Sequence, residues 1–373
     1  MFSDFDRTAM QRALELAARG LSTTHPNPRV GCVIARSGRV VGEGWHVRAG
    51  DSHAEVAALA AAGAQAAGAS VYVTLEPCSH EGRTPPCVDA LIAARVARVV
   101  YAVGDPNPLV NGQGAERLGA AGVAVEAGLL AAEAAELNAG FMKRMQTGLP
   151  WVRVKIAASL DGHTALASGA SRWISGEASR ADVQQWRARS SAILTGVGTV
   201  LADDPRLDVR LSEEDGIERR QPLRVVLDSS LRTPPEARLF EASGEVLIVT
   251  ALPASDPQWE PRCAALAERG AHIETLPAES GRVPLGAVLE RLGELEINEL
   301  QVEAGPTLAG SLVQLGLLDE LLLYVAPRLL GPGARPLVAF PELGELEAAP
   351  AFEIVETLRV GEDLRLRLRP RAQ

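Results

Sequence analysis

The chain has 373 residues, 47% of them apolar, and a formal charge of −10. Its length allows two or three domains of about 150 residues each, while the acidic balance argues against a nucleic-acid partner, which would call for a basic face. It has four cysteines but no leader-like opening and no apolar run of about 18 residues or more, so the expectation is a cytoplasmic protein of a reducing compartment, without disulfides and without a membrane partner.

Taken in order, the residues up to Thr147 alternate helix, strand pair, helix, strand, helix, strand, helix, strand, helix. This predicts a layered α/β domain over 1–147. VGCVIA reads as an apolar strand with Cys32 in the core, and His53-Ala54-Glu55 begins an alanine-rich helix running to Ala66. SVYVTL at 70–75 reads as a buried strand ending just before Cys78, and CVDALIAAR at 87–95 as a helix started by two prolines, with Cys87 at its opening. A thiolate there is favoured by the backbone N–H groups and the macrodipole, by about 0.3–1 kcal/mol. An amphipathic helix over 129–146 closes the domain, and TGLP at 147–150 marks a hinge.

His53, Cys78 and Cys87 together offer one imidazole and two thiolates. Three such ligands leave a fourth tetrahedral position for water, as a catalytic zinc requires and a closed structural zinc does not. Glu55, two residues from the imidazole, is the candidate proton carrier. An HxE followed by PC and a second cysteine is the zinc-deaminase signature, in which a ring carbon is attacked and ammonia leaves. In that signature two residues separate the cysteines, whereas here eight do. A closed zinc completed by His80 stays open as the non-enzymatic alternative.

Beyond the hinge, over 151–373, strands are predicted at 151–158, 191–196, 223–229, 245–250, 271–276, 299–304 and 320–327, with helical patterns between most of them. This is a second α/β sheet, and Cys263 lies in one of its helices. The charge divides into 13 basic and 14 acidic residues up to Thr147 and 24 and 33 beyond it, so neither half is basic. Gly196 to Thr199 and Glu303 to Thr307 are strand-to-helix turns, where glycines let backbone N–H groups approach phosphate. No GxGxxG is present, which leaves plain tight turns as the other reading.

Longer motifs carry a resemblance. THPNPRVG at 24–31, the GxGxH of Gly42, Gly44 and His46, Gly50 ahead of His53, LEPCSHEGRTPPC at 75–87 and GDPNPLVNGQG at 104–114 resemble the bacterial bifunctional deaminase/reductase family of riboflavin biosynthesis. The long cysteine spacing belongs to that family. KIAASLDGHTA at 155–165, SRWIS at 171–175, LTGVGTVLADDPRL at 194–207 and VEAGPTLAGSL at 302–312 are similar to its reductase half.

The resemblance implies a cytidine-deaminase-like three-layer domain followed by a dihydrofolate-reductase-like domain, with zinc and NADPH as cofactors. The implied reactions are deamination of a diaminopyrimidine bearing a phosphoribosylamino group, then reduction of ribosyl to ribityl. Asn27, His46, His80, Arg83, Asp105 and Asn107 are implied around the pyrimidine and its ribose phosphate. Ala157, Trp173, Thr199, Asp203, Ser229, Gly305, Pro306 and Thr307 are implied at the cofactor, and Ser171, Arg187, Leu207, Arg210 and Glu303 at the second substrate site. The arginines' planar forks suit phosphate. Lys155 and Asp161 match the family without an assigned role.

Other readings remain at this stage. Asp105 and Asn107 suit a turn equally well, Trp173 suits a core, and the second domain could bind or dimerise without reducing. By family analogy the chain is a homo-oligomer assembled through the reductase domain. ELLLYVAPRLL at 320–330 is then either a subunit contact or a core strand.

Overall fold

The structure, a computed structural model, describes residues 1–79, 85–107, 111–211 and 219–371. They form two units, Met1–Leu149 and Pro150–Gln373.

The first unit contains α1 (Asp4–Ala18), β1 (Gly31–Arg36), β2 (Arg39–Trp45), α2 (Ala54–Ala62), β3 (Ser70–Leu75), α3 (Cys87–Ala93), β4 (Arg98–Val103), α4 (Gln113–Ala120), β5 (Ala124–Ala127), α5 (Ala131–Leu137) and α6 (Ala139–Thr147). The sheet order is β2-β1-β3-β4-β5. β3, β4 and β5 run parallel, and β1 is antiparallel to both its neighbours. Successive residues of a strand face opposite ways, so continuous apolar strands supply two cores. Cys32, Ile34, Val71 and Val73 pack with α2, α3 and α4. Val33, Ala35 and Tyr72 pack with α1 and α5 on the other face. That is the three-layer arrangement, with Cys32 a core residue.

Two helices are shorter than the sequence predicts. α2 ends at Ala62, where Gly63 turns to φ 54° and a 3₁₀ turn takes over to Ala66. The helix expected over 129–146 is broken at Asn138 into α5 and α6. The buried Asn138 amide accepts from Arg29 N at 2.8 Å and donates to Arg29 O at 2.9 Å, anchoring a distant loop. Asparagine side chains compete with the helix for backbone partners in this way.

The second unit contains β6 (Trp151–Ser159), β7 (His163–Ala165), α7 (Glu177–Arg189), β8 (Ala192–Gly196), α8 (Val197–Asp203), β9 (Leu223–Leu227), β10 (Val246–Thr250), α9 (Trp259–Ala267), β11 (Ala271–Thr275), α10 (Leu285–Glu294), β12 (Glu299–Val302), α11 (Pro306–Gln314), β13 (Glu320–Ala326), β14 (Arg335–Pro336), β15 (Phe352–Val360) and β16 (Asp363–Pro370). Its main sheet has the order β11-β10-β9-β8-β12-β6-β13-β16-β15. The strands from β11 to β13 are parallel, and β16 and β15 add an antiparallel edge hairpin that the sequence reading did not anticipate.

β13 lies between β6 and β16 and is largely buried, so the part of the 320–330 segment up to Ala326 is a core strand, while Leu329 beyond it is exposed. Three adjacent strands also bury charge. Arg153 Nε donates to Glu320 at 2.6 Å and its Nη1 to Glu299 at 3.0 Å, with all three side chains almost inaccessible. No helix among the described residues is long and apolar enough to cross a membrane.

Candidate active sites

The first site is built by close packing of a helix on a strand. A Cβ placed on Gly44 of β2 would lie 2.4 Å from the carbonyl oxygen of Ala54, and one on Gly42 would lie 2.3 Å from that of Ala58. Only glycine lets α2 lie this near, and its N-terminus arrives beside the end of β2. His53 is the N-cap of α2, and Glu55 sits buried in the first turn. Cys78 follows β3, and Cys87 is the first residue of α3.

His53 Nδ1 lies 3.1 Å from Cys87 Sγ and 3.5 Å from Cys78 Sγ, and the three ligand atoms fall within 4.8 Å of one another. Such separations fit donors sharing one ion with bonds of about 2.0–2.3 Å, and the donor set is that of zinc. Among the described residues no other His, Cys, Asp or Glu joins the group. Hydrogen bonds from the Cys87 side chain, from His53 and from the Cys87 backbone N–H lower the pKa of Cys78, favouring a thiolate. Burial, reinforced by the charge of Cys78, pushes Glu55 up to about 7, so this carboxyl exchanges a proton near neutrality.

Around this centre, His46 stands edge-on to His53 with ring centroids 5.4 Å apart. Its Nε2 lies 3.0 Å from the Asn27 amide nitrogen and its Nδ1 3.2 Å from Ser52 O. The network assigns a neutral ring, donating through Nδ1 and accepting at Nε2. Burial lowers its pKa, consistent with that form. Asp105 and Asn107 follow β4, whose Val103 pairs with Leu75 of β3, so they emerge beside the strand that leads to Cys78. Asp105 Oδ1 accepts from Asn107 N at 2.9 Å, a turn geometry. His80 and Arg83 lie outside the described residues. Glu76, unassigned from the sequence, is buried here with its carboxylate on the backbone of the loop after Asn107.

In the second unit the two glycine turns sit side by side because β8 and β12 are parallel neighbours. Glu303 N donates to Leu194 O at 2.9 Å, and Thr195 Oγ1 donates to Glu303 O at 2.7 Å. Thr199 and Asp203 belong to α8; Gly305 caps α11, and Pro306 and Thr307 form its first turn. A Cβ on Gly196, Gly198 or Gly305 would meet no atom within 4 Å. Both turns therefore border open space at the carboxyl ends of parallel strands, where α/β sheets take dinucleotides, and the residues present fit NADPH.

Trp173 is 62% exposed, with the Arg180 guanidinium 4.5 Å over its ring, so it is not a core aromatic. Ala157 lies on β6 and pairs with Tyr324. Ser229 follows β9, and its hydroxyl accepts from Val283 N at 3.2 Å. Ser171 precedes α7, and Leu207 is buried with φ 52°.

Arg187 and Glu303, distant in sequence, meet. Arg187 Nε and Nη2 reach the two Glu303 oxygens at 2.7 and 2.8 Å, and Nη1 donates to Asp208 O at 3.0 Å. The Arg187 guanidinium, implied at the second substrate site, is held here by Glu303 and the Asp208 carbonyl. Gln301 Nε2 donates to Glu303 Oε1 at 2.7 Å, a partner two residues away on the same strand face that period-two alternation could have revealed. Although burial opposes ionisation, Arg187 and then Lys155 hold Glu303 down at about 2. Lys155 is itself lowered, chiefly by burial. Arg210 is exposed and pairs with Asp208. Asp161 accepts from Ser159 Oγ at 2.5 Å and from Gly331 N at 2.8 Å, tying two loops together.

Comparison with known proteins matches both units. Residues 3–103 match the cytidine and deoxycytidylate deaminase zinc-binding region, and residues 150–366 match the RibD C-terminal domain. The riboflavin biosynthesis protein RibD of Escherichia coli K12 is 51% identical over 371 residues, covering 97% of this chain and 99% of that protein. Its counterpart in Haemophilus influenzae is 46% identical, with 99% of each covered. Among solved structures, Acinetobacter baumannii RibD superposes with a TM-score of 0.90 at 45% identity, covering 99% of both chains. The diaminohydroxyphosphoribosylaminopyrimidine deaminase/5-amino-6-(5-phosphoribosylamino)uracil reductase of Thermotoga maritima gives 0.85 at 32% identity, covering 98% of this chain and 99% of that one.

Proposed function

This chain belongs to the RibD family of bifunctional riboflavin-biosynthesis enzymes, and on that premise we propose which side chains carry its two reactions. The first unit is a zinc deaminase and the second an NADPH-dependent reductase. The substrate assigned here is the diaminopyrimidine with a phosphoribosylamino group that names the Thermotoga maritima enzyme.

The observation that carries the deaminase assignment is the convergence of His53, Cys78 and Cys87 beside the buried Glu55. A zinc ion held by those three supplies the Lewis acidity that makes water nucleophilic near neutral pH. Glu55 would take a proton from the attacking water and pass it to the departing amino nitrogen, so that one water is consumed and one ammonia leaves. Asn27 and neutral His46 present a fixed pattern of donors and acceptors to the ring, with Asp105 and Asn107 on the neighbouring strand end. Changing Glu55 to Gln is expected to cut ammonia release by about 10²–10⁴-fold with zinc per chain unchanged. Undiminished turnover would reject Glu55 as the proton carrier, and loss of metal would make it a ligand.

In the reductase, NADPH supplies the hydride. Thr199, Asp203, Trp173, Ala157 and the 305–307 turn are assigned to the cofactor. Ser229, whose hydroxyl is already bonded, joins them through its place at the end of β9. Glu303, kept ionised by Arg187, faces the substrate together with Ser171 and Leu207, and the exposed Arg210 takes its phosphate. Arg187 acts through Glu303. Lys155, weakened as an ammonium by burial, is the member of this cluster able to give up a proton.

Assembly is assigned to the reductase unit through β15. Among the described residues this edge strand pairs only with β16, and it exposes Ile354, Val355 and Leu358.

A further inference from the structure

We propose that Glu76 is a positioning residue of the deaminase, holding the substrate loop after β4 in register with the zinc-ligand strand after β3. The inference rests on the assignment of Asp105 and Asn107 to the substrate. Glu76 directly follows β3, and its backbone N–H donates to Val103 O at 2.9 Å, extending the pairing of β3 with β4 by one residue. Its side chain is buried and turned into the loop. Oε2 accepts from Gly112 N at 3.0 Å and from Asp105 N at 3.4 Å. Oε1 accepts from Gly114 N at 3.1 Å and from Ala115 N at 3.3 Å. Four backbone N–H groups, those of Asp105 and Gly112 on one oxygen and of Gly114 and Ala115 in the first turn of α4 on the other, thus share a single carboxylate.

The arrangement has a reason in the chain. α4 begins at Gln113 after Gly112, which has no side chain with which to cap it. Orphan N–H groups of a helix's first turn need an acceptor, and Glu76 supplies one from another element, with its negative charge at the favourable end of the dipole. The approach is close enough to exclude any other residue at Gly114, where a Cβ would lie 2.1 Å from the carbonyl oxygen of Pro77. Pro77 is the residue before Cys78. One carboxylate therefore ties Asp105, Gly112 and the first turn of α4 to the strand end that leads to Cys78. Glu76 itself is not in the ligand group. Its effect on the reaction passes through Asp105 and Asn107.

Glu76→Gln separates positioning from bulk. An amide has nearly the same shape, but its NH₂ would face two backbone N–H groups, so whichever way it is turned one pair of bonds is lost. Full-length zinc-loaded protein is assayed for ammonia release from the diaminopyrimidine phosphate, alongside Asp105→Ala and Asn107→Ala. The expected result for Glu76→Gln is KM raised about tenfold or more with kcat changed less than about threefold. Zinc per chain and NADPH oxidation on the deaminated substrate are expected to match the parent. An unchanged KM in Glu76→Gln, with KM raised in the two alanine variants, overturns the inference and leaves the substrate loop standing. An unchanged KM in all three removes the substrate loop itself. Parallel loss of zinc, kcat or the reductase activity marks Glu76 as a residue of the fold alone and also overturns the inference.

Discussion

The pairing of Arg187 with Glu303 sets different responses to acid for the protein and a variant. Both side chains are largely buried, with two short bonds between them. Glu303 is held at about 2 although burial alone would raise it. Against an unfolded carboxylate near 4.3, that depression contributes about 3 kcal/mol of stability at neutral pH. The contribution is fully present above the unfolded pKa and fades as pH falls from about 4 towards 2. Arg187→Met removes the strongest partner of a buried carboxylate, leaving it Lys155 and Gln301, and is expected to destabilise the reductase unit by about 3–5 kcal/mol. Glu303 in that variant titrates higher than in the parent, so acidification towards about pH 4 recovers part of the loss, whereas the parent's contribution is unchanged until pH falls below about 4. Urea unfolding followed at neutral pH and at about pH 4.5 reads the difference. Adding Glu303→Gln removes the second charge and is expected to recover much of the loss, a coupling that a double-mutant cycle measures. Equal losses for the single and double variants would show that the two side chains do not act as a pair.

The contact between α2 and β2 is where packing turns into chemistry. Gly44→Ala places a Cβ 2.4 Å from Ala54 O and 2.5 Å from Ala58 N, both backbone atoms that give way only if the helix moves. A shift of about 1 Å at a reacting group can cost about 10²-fold in rate, and α2 carries both His53 and Glu55. Ammonia release and zinc retention are expected to fall, with NADPH oxidation unchanged, whereas Gly119→Ala, which meets nothing within 4 Å, leaves both activities intact. Equal effects at Gly44 and Gly119 would dismiss the close approach. The same elements show what a sequence can reveal. The cluster of His53, Cys78 and Cys87, with Glu55 buried beside it, was legible because residue type and spacing mark a possible metal group, and the alternating faces of β1 and β3 because period two is local. Glu76 meets Gly112 across 36 residues and Arg153 meets Glu320 across 167, pairings that only the folded strand order creates. The break at Asn138 was hidden because its cause is a partner 109 residues away. The hairpin of β15 and β16 carries the same local signal, since DLRLRLRP alternates strictly, and nothing physical hid it.

The same hairpin carries the subunit contact proposed for the reductase unit. An unpaired strand presents a row of N–H and C=O groups, and proteins commonly blunt such edges with charge or cover them. β15 is last in its sheet, and Ile354, Val355 and Leu358 are 59%, 40% and 44% exposed along it. On the assignment of assembly to this edge, a second reductase unit offers the same strand in return, the self-complementary contact of a two-fold dimer. Ile354→Lys combined with Leu358→Lys sets like charges against each other across the axis and is expected to halve the mass measured by light scattering at micromolar concentration. The residues assigned to deamination all belong to Met1–Leu149, so ammonia release is expected to survive dissociation. A parent chain that is already monomeric, or a double variant of unchanged mass, would place the subunit contact elsewhere or remove it.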